Sequence, residues 1–473
     1  MEYQRKWVIL LTVLIMTIMS TLDSSIVNVA LPVMTKDLGV SMGSIEWVVT
    51  SYLITICATI LIFGKIGDIN GKTTVFKIGV IGFTFGSLMC GLSNNLTVLI
   101  ISRIIQALGS AAALSTNQGI ITESFPPEER GRALGLIGSS VALGTMIGPT
   151  LGGFIVSGFK WNYIFLINIP IGIIAYVASQ KILPKQSNNL SESLDYKGIT
   201  LFIPSVILLF SGIILGQHLT YTNIYILLSF VISIILLALF IKCELKVEHP
   251  LLDINIFKNT LFTVSIICGF ISFVAISGTN IILPFYLQDA LKLSPGVTGL
   301  IMTVSPIVLG VMSPISGYLS DKFEAEKLTF VGLVVITIGL LLLSRLNIDT
   351  PILVIGIFIA TMSAGAAMFQ SPNNSLIMST VPRDKLGVAG SINGLFRNIG
   401  MITGIALSTT LLYNRMSSKI GYKVLGYIQG REDVFIYGMK VVYMVVAGIC
   451  FIGVILTLIR MLNKDRLAKN KMS

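Results

Sequence analysis

The feature that most constrains this chain is a series of about fourteen apolar runs, separated by short polar connections. A membrane-spanning helix needs about 20 mainly apolar residues. Only 12% of the residues are charged, against about 25% in a typical soluble domain. We therefore predict an all-α polytopic membrane protein with spans near residues 7–31, 46–64, 74–92, 97–121, 133–157, 162–182, 197–216, 223–242, 260–287, 296–318, 328–345, 351–377, 387–413 and 437–461.

The basic residues predict the orientation of these spans. With both termini in the cytoplasm, about 22 of the 33 Lys and Arg residues fall in cytoplasmic segments and about nine fall outside, as the positive-inside rule requires. About five of the outer ones lie in a single loop, 414–436, whose role the sequence leaves open. The net charge of +11 is therefore explained by membrane topology, and we expect no nucleic-acid partner.

An internal repeat divides the chain. Several residues recur in the same order about 252 positions later, and chance pairing of glycines explains only one or two of these matches. The pairs are Asn28 with Asn280, Leu31 with Leu283, Pro32 with Pro284, Gly64 with Gly317, Asp68 with Asp321, Gly135 with Gly387, Gly138 with Gly390, Gly148 with Gly400, and Gly152 with Gly404. We predict an N-terminal six-helix bundle at 1–182, a linker with two additional spans at 183–259, and a C-terminal six-helix bundle at 260–473. Parallel repeats of this kind are an architecture of membrane transporters.

Small residues dominate the fifth predicted span. Its stretch GSSVALGTMIGPTLGG contains five glycines and one proline, which a soluble helix would tolerate poorly and a membrane helix tolerates better. Small residues also let two helix backbones approach closely. We predict close packing and a bend at Gly148–Pro149, and the alternative is a merely well-packed span. The residues of this stretch that we single out are Gly138, Gly144, Gly148, Pro149, Gly152 and Gly153.

Five motifs, in order along the first half, carry a family resemblance. They are Leu22–Asp23 with Asn28–Pro32, Gly64–Asp68 with Gly71–Lys72, Arg103 with Gln106 and Gly109–Ala113, the glycine stretch above, and Trp161–Phe165 with Asn168–Gly172. Together they resemble the fourteen-span drug:proton antiporters of the major facilitator superfamily. The resemblance implies two six-helix bundles plus two extra helices, with the substrate path between the bundles. Two departures are the absence of arginines around Asp68 and the alanine at position 107.

Asp23 is the only acidic residue deep inside a predicted span. A charge at that depth costs about 2.5–3.5 kcal/mol or more, which makes it a functional-site hypothesis by default. At 1.5 Å of rise per residue, Asp23 and Arg103 lie at similar depths, and the resemblance places their helices in one bundle. We predict a proton-coupling pair, since an Arg neighbour and burial act oppositely on a carboxylate. A purely structural pair is the alternative.

Two further sets of residues follow from the resemblance and from residue type. We predict a cytoplasmic gate, or otherwise a solvated loop cluster, at Gly64, Asp68, Gly71, Lys72, Glu123 and Arg130. For the substrate cavity we single out polar residues within spans, each of which has an interhelical hydrogen bond as its alternative role. They are Asn28, Tyr52, Asn117, Gln118, Asn280, Gln370, Asn373, Asn374, Asn393 and Arg397. Glu46, at the outer start of span two, is an external proton entry point, a cation attractor or a solvated helix-start acid.

These observations predict a proton-coupled antiporter that exports amphipathic drugs or toxic compounds by alternating access. The alternative is an exporter of one endogenous metabolite, lipid or siderophore. We expect no enzyme, no metal site and no cofactor, because no complete GxxxxGK[ST] nucleotide-binding loop, no metal-ligand spacing and no acidic or histidine cluster is present in the sequence. The expected partners are amphipathic small molecules, protons and lipid. We expect a monomer in a bacterial cytoplasmic membrane, with both termini cytoplasmic.

Overall fold

The computed structural model describes residues 2–184, 194–247, 250–381 and 386–472, and its regular structure in these ranges is helical without any β-strand. The helices of the first half are α1 (Glu2–Asp37), α2 (Met42–Ile45), α3 (Trp47–Asn70), α4 (Lys72–Gly91), α5 (Leu96–Ser124), α6 (Pro127–Gly158), α7 (Tyr163–Leu166), α8 (Asn168–Ile182), α9 (Tyr196–Leu219) and α10 (Ile224–Glu244). Those of the second half are α11 (Thr260–Phe285), α12 (Pro295–Met302), α13 (Val304–Lys322), α14 (Ala325–Leu343), α15 (Ile352–Ser379), α16 (Leu386–Ile420) and α17 (Glu432–Met472). A 3₁₀ turn, Ile254–Lys258, precedes α11, and a π-helical turn, Tyr286–Ala290, continues it.

The helices have the length and composition of membrane spans. In the part of the chain that the structure describes, 13 helical segments are long and apolar enough to cross a bilayer. The predicted span 133–157 lies in α6, whose apolar part Leu143–Gly158 is shorter. Helices suit lipid because they satisfy every backbone donor and acceptor internally. The predicted all-α polytopic fold is confirmed.

The chain forms two compact units. The first comprises Met1–Ile254 together with Ser294–Gly299, and the second comprises Asn255–Leu293 together with Leu300–Ser473. The two additional helices therefore group with the first unit, where the sequence analysis assigned them to a separate linker at 183–259. The reason is packing, since α9 lies against α3 as well as against α10.

Helix pairs in the two units correspond to one another. In the first unit α1 packs along α6, α4 packs along α5, and α8 lies against α1 and α4. In the second unit α11 packs along α16, and α14 packs along α15. The sequence repeat relates α1 to α11, α6 to α16, and α5 to α15. Each unit is therefore built on the same pairs of closely packed helices.

Glycines set the closest of these approaches. A methyl group on Gly148 would overlap the Ser25 hydroxyl of α1, and one on Gly144 would overlap the Thr21 hydroxyl. The Ser25 hydroxyl donates to the carbonyl oxygen of Gly144 at 3.3 Å, which ties α1 to α6 directly. Small residues at such crossings allow backbone contact between membrane helices.

Candidate functional site

A buried carboxylate lies at the centre of the first unit. Asp23 on α1 is 0% exposed and accepts hydrogen bonds on both of its oxygens. Arg103 Nη1 donates to Oδ2 at 2.5 Å, while Gln106 Nε2 and Asn168 Nδ2 donate to Oδ1 at 2.9 and 2.8 Å. The structure thus brings together the predicted pair, Asp23 and Arg103, and adds two amide donors. One carboxylate joins α1 to α5 and α8.

Arg103 is held on every side of its guanidinium. Besides Asp23, its Nη1 donates to Gln106 Oε1 at 2.7 Å, and its Nε donates to the Val48 carbonyl oxygen at 2.9 Å. The guanidinium also lies over the ring of Tyr52, 4.1 Å from the ring centroid. Arg103 is 1% exposed, so it brings α3 into the same cluster as α1, α5 and α8.

Close packing of α4 on α5 positions Gln106. Gly86 of α4 lies so near the Gln106 backbone that a methyl group on Gly86 would overlap it. This approach lets Gln106 Nε2 donate to Ser87 Oγ at 2.8 Å while it also donates to Asp23. Asn168 lies at the first position of α8, which packs against α1, and its Nδ2 donates to Asp23 from there.

The electrostatics of this cluster are balanced when Asp23 is ionised. One carboxylate faces one guanidinium in a site without exposed surface, and three donors serve the two carboxylate oxygens. Removing either charge from such a pair leaves the other buried and uncompensated, which costs about 3–5 kcal/mol. Adding a proton to Asp23 has a related effect, because it cancels the carboxylate charge while Arg103 keeps its own. The cluster is therefore sensitive to a single proton.

A family model described as Major Facilitator Superfamily matches residues 13–245 and 265–472. The chain belongs to this family. Membership of this family, the apolar helices and the names of the relatives together make the chain a multi-pass membrane transporter. The expected membership is confirmed, and the relatives below agree with the drug-efflux branch of the family.

Relatives of this transporter fall into two groups by name. It is 36% identical to the riboflavin transporter RibZ of Clostridioides difficile, a match that covers 98% of this chain and 99% of RibZ. It is 31% identical to the multidrug transporter protein MdtP of Bacillus subtilis, over 90% of this chain and 79% of that protein. It is 29% identical to the multidrug resistance protein Stp of Mycobacterium tuberculosis, over 84% and 74% respectively.

One solved structure supports the fold. It is the crystal structure of a bacterial homolog to the human lysosomal transporter Spinster in an inward-facing and unoccupied conformation. It matches with a TM-score of 0.63 and 14% identity, and the match covers 96% of each chain. At this identity the likeness shows the fold alone, which is that of a major facilitator transporter.

Several predicted gate residues of the transporter lie together at one end of the first unit. Lys72 Nζ contacts Glu123 Oε1 at 2.6 Å and Asp68 Oδ1 at 3.0 Å. Gly71 separates α3 from α4 with a positive φ of 91°, which glycine adopts readily. Gly64 lies on α3, where a methyl group would stand 3.9 Å from Ser115. Their role as a gate stays a prediction.

The glycines of the predicted antiporter motif face two different partners. Gly144, Gly148 and Gly152 lie against α1, at Thr21, Ser25 and Ile26 respectively. Gly153 faces the backbone of Pro295 and Gly299, which group with the first unit, and Gly299 in turn lies against the Pro149 carbonyl oxygen. The surroundings of Gly138 and the side chain of the predicted gate residue Arg130 lie outside the described part of α6.

The cavity candidates of the first unit divide by burial. Tyr52 is buried, and its hydroxyl donates to Ser110 Oγ at 2.9 Å, so it belongs to the Arg103 cluster. Asn117 is buried as well, and its Nδ2 donates to Thr17 Oγ1 at 2.9 Å, which makes an interhelical bond. Asn28 and Gln118 are half-buried, as a lining role requires.

The cavity candidates of the second unit divide in the same way. Asn373 is buried and donates to the Ser265 carbonyl oxygen at 3.0 Å. Asn374 is exposed and accepts a bond from half-buried Asn393 at 3.0 Å. The remaining candidates are half-buried; they are Asn280, Gln370 and Arg397. Contact with substrate stays a prediction for all of them.

The environments of two charged residues, Glu46 and Arg460, differ from those that the sequence suggested. Glu46 is only 1% exposed, so the interpretation as a solvated helix-start acid is wrong, and its proton-entry role remains a hypothesis. Arg460 on α17 is 9% exposed and donates to the hydroxyls of Ser265 and Thr329, at 3.0 and 2.5 Å. Sequence reasoning missed Arg460 because it lies at the predicted end of the last span, where Arg side chains commonly reach the interface.

Proposed function

We propose that this transporter is a proton-coupled antiporter that exports amphipathic drugs and other toxic compounds across the bacterial cytoplasmic membrane. The observation that carries the proposal is the buried cluster of Asp23, Arg103, Gln106 and Asn168. It contains a carboxylate that can take up a proton, held inside the membrane domain of a secondary transporter. Intramembrane carboxylates commonly serve as proton relays in pumps and transporters.

The cluster supplies a physical link between proton binding and helix arrangement. Ionised Asp23 accepts bonds from α5 and α8, while Arg103 connects α5 to the Val48 carbonyl of α3. A proton on Asp23 weakens its attraction for Arg103 and converts one acceptor oxygen into a donor. The forces among four helices therefore change with one proton. Alternating access needs a ligand that binds two conformations unequally, and the proton meets that condition here.

The drug-export half of the proposal is supported by the relatives named as multidrug transporters. Their matches extend over 84–90% of this chain, so the similarity includes both repeats. Movement of protons inward through Asp23 supplies the free energy for movement of the compound outward. The half-buried cavity candidates, such as Asn28 and Gln118, are polar without charge, which suits a compound that is mainly apolar with a few polar groups.

A second candidate is transport of riboflavin. It is favoured by the 36% identity to RibZ over nearly the whole of both chains, which is higher and more complete than the matches to the named multidrug proteins. Riboflavin is itself amphipathic, with a flat aromatic ring system and a polar chain. This candidate corresponds to the alternative of a single endogenous metabolite, and it uses the same proton site.

A transport assay separates these candidates. Bacterial cells that lack their own multidrug pumps, and that produce this protein, are loaded with ethidium or with radiolabelled riboflavin and then supplied with glucose. We expect energised ethidium efflux that a protonophore stops. Movement of riboflavin without movement of ethidium would support the second candidate. Efflux that continues with the protonophore would contradict proton coupling.

Matched variants connect the assay to the site. Asp23→Asn keeps the shape of the side chain but cannot exchange a proton, so we expect loss of uphill efflux. Asp433→Asn makes the same chemical change at an exposed carboxylate, 52% exposed and paired with Arg431 and Lys419, and should leave efflux intact. Both variants are compared at equal amounts in the membrane.

A further inference from the structure

Another buried carboxylate lies outside the Asp23 cluster, where α9 begins and α10 ends. Glu244 is the last residue of α10 and is 4% exposed. Its Oε2 accepts a hydrogen bond from the backbone N–H of Leu252 at 2.9 Å. Its Oε1 is buried and has no hydrogen-bond partner among the described residues. An ionised carboxylate is costly in such a place unless something compensates its charge.

The neighbour of that vacant oxygen is another carboxylate. Asp195 caps α9, and its Oδ1 accepts the Gly198 N–H at 2.9 Å. Gly198 has no side chain, and the carboxylates of Asp195 and Glu244 both lie in the space that a side chain would occupy there. A methyl group built there would overlap Asp195 Oδ2 and lie 2.7 Å from Glu244 Oε1. Two ionised carboxylates that share one small space repel each other, and a single proton between them removes the repulsion.

The surrounding groups indicate which acid holds the proton. Asp195 is half-buried at the N-terminus of α9, where the helix dipole and the Gly198 N–H stabilise a negative charge. Among the described residues, Cys243, whose Sγ lies 4.0 Å from Asp195 Oδ2, and the exposed Lys197 also lie close to this pair. Glu244 is the more deeply buried acid, so the uncharged form belongs to it.

We propose that Glu244 carries a proton shared with Asp195, which forms a second proton-binding site on the side that the basic residues predict to be cytoplasmic. The protonated pair holds together the starting turn of α9, the end of α10 and the backbone at Leu252. Loss of the proton places two negative charges beside Gly198 and drives these parts of the chain apart. The contact among them is therefore formed at acidic pH and lost as the pH rises, so the transporter would sense cytoplasmic pH.

Hydrogen exchange of the purified full-length protein tests the site without any transport assay. Protection of the Leu252 amide, expressed relative to its intrinsic exchange rate, should fall by roughly tenfold for each unit of pH above the titration of the pair. In Glu244→Gln the protection should not depend on pH. Asp195→Asn keeps a side-chain oxygen for the helix cap and removes the charge, so the pH-dependent loss of protection should vanish, because an ionised Glu244 then faces a neutral amide instead of a second carboxylate.

Three results would overturn the proposal, two from the wild-type protein and one from a variant. One is wild-type protection that is independent of pH, and another is protection at alkaline pH that appears only when Na⁺ or Mg²⁺ is added, which would make the pair a cation site. Gly198→Ala is a geometric check, because its methyl group pushes the acids apart and should reduce protection even at acidic pH. Unchanged protection in that variant would also contradict the shared proton.

Regulation of transport is a separate arm, and it rests on the proposed function. In inside-out vesicles, wild-type efflux activity should change with the pH on the cytoplasmic face, and Glu244→Gln should remove that part of the pH profile. Asp23→Asn should remove uphill transport at every pH while leaving the Leu252 exchange profile unchanged. Failure of the proposed function and failure of this inference therefore give different results.

Discussion

The two units of the molecule share their helix packing and differ in their buried polar groups. Asp23, Arg103 and Gln106 form the charged centre of the first unit. At offsets of 252 for the first position and 256 for the other two, the second unit has Ala275, Ile359 and Met362. All three are buried. The same place in the fold is therefore charged in one unit and apolar in the other.

The close helix contacts, in contrast, are retained in both units. Ser25 of α1 donates to the Gly144 carbonyl of α6, and its repeat equivalent Ser277 of α11 donates to the Met401 carbonyl of α16 at 2.9 Å. A methyl group on Gly404 would overlap the Ser277 hydroxyl, much as one on Gly148 would overlap that of Ser25. The fold needs the small residues and does not need the buried charge. The presence of the ion pair in the first unit alone agrees with the role that we propose for it in transport.

The largest expected effect comes from Asp23→Asn. It removes the exchangeable proton and makes the first unit resemble the second in charge at this position. Uphill ethidium efflux should fall to the level of cells without the protein, while the amount inserted in the membrane stays similar. Met362→Leu, a change of similar size at the position equivalent to Gln106, should leave efflux nearly unchanged. Uphill pumping by Asp23→Asn at the wild-type rate would show that the difference between the units is not functional.

Arg103→Gln should affect stability and coupling together. The substitution leaves Asp23 buried without its cation, at a cost of about 3–5 kcal/mol, and it removes the charge that the proposed coupling depends on. The double variant Asp23→Asn with Arg103→Gln removes both charges and should recover most of the lost thermal stability without recovering transport. Thermal unfolding in detergent and pH profiles of efflux measure the two effects. Additive destabilisation with an unchanged pH profile would indicate a purely structural pair.

Gly148→Ala tests the feature that the two units share. The new methyl group overlaps Ser25, and overpacking of this kind costs about 1–3 kcal/mol. Efflux should decrease because α1 carries Asp23. Adding Ser25→Gly creates space and should restore part of the activity, and Gly404→Ala should destabilise the second unit in the same way. Normal efflux kinetics in Gly148→Ala would remove this contact from the working parts of the transporter.

Arg460→Gln should have a smaller effect, confined to stability. Arg460 bonds the hydroxyls of Ser265 on α11 and Thr329 on α14, so the second unit also contains a buried cation, held by neutral groups. Loss of these bonds should lower the unfolding temperature by an amount equivalent to about 1–3 kcal/mol. The pH dependence of efflux should be that of the wild type. A shifted pH profile would show that the second unit takes part in proton coupling.

The fold and the pairing of Asp23 with Arg103 could both be predicted from the sequence. Spans are readable because a bilayer requires long apolar runs, and the depths of Asp23 and Arg103 follow from the fixed rise of a helix. The contacts of Asn168 could not be predicted from the sequence, because a neutral amide within a span can bond equally well to the backbone or to a side chain of a neighbouring helix. The bond from Asn168 to Asp23 depends on the packing of α8 against α1, which only the folded chain shows.

Two other features were hidden from the sequence by local geometry. Glu46 precedes a helix start, which usually means exposure, yet the short helix α2 precedes it directly and its side chain is buried. Glu244 ends an apolar span and looks like an interfacial acid. Its burial depends on Leu252 and on the space above Gly198, which only the folded chain brings together.

The smallest expected effect is on the two additional helices, which have no counterpart in the repeat. Only 17% of the most apolar part of α10 is buried within the protein, and Ile234 on that helix is 63% exposed. Ile234→Asn places an amide where lipid is expected, so insertion and expression should fall. The substrate concentration that gives half-maximal efflux should stay within about twofold of the wild type, since an effect of that size is under about 0.5 kcal/mol. Ile234→Val is the matched control, and it should change neither quantity.

Strong labelling of residues 199–240 by a photoreactive substrate analogue would place the compound beside these helices, and the candidate cavity residues would then have to be abandoned.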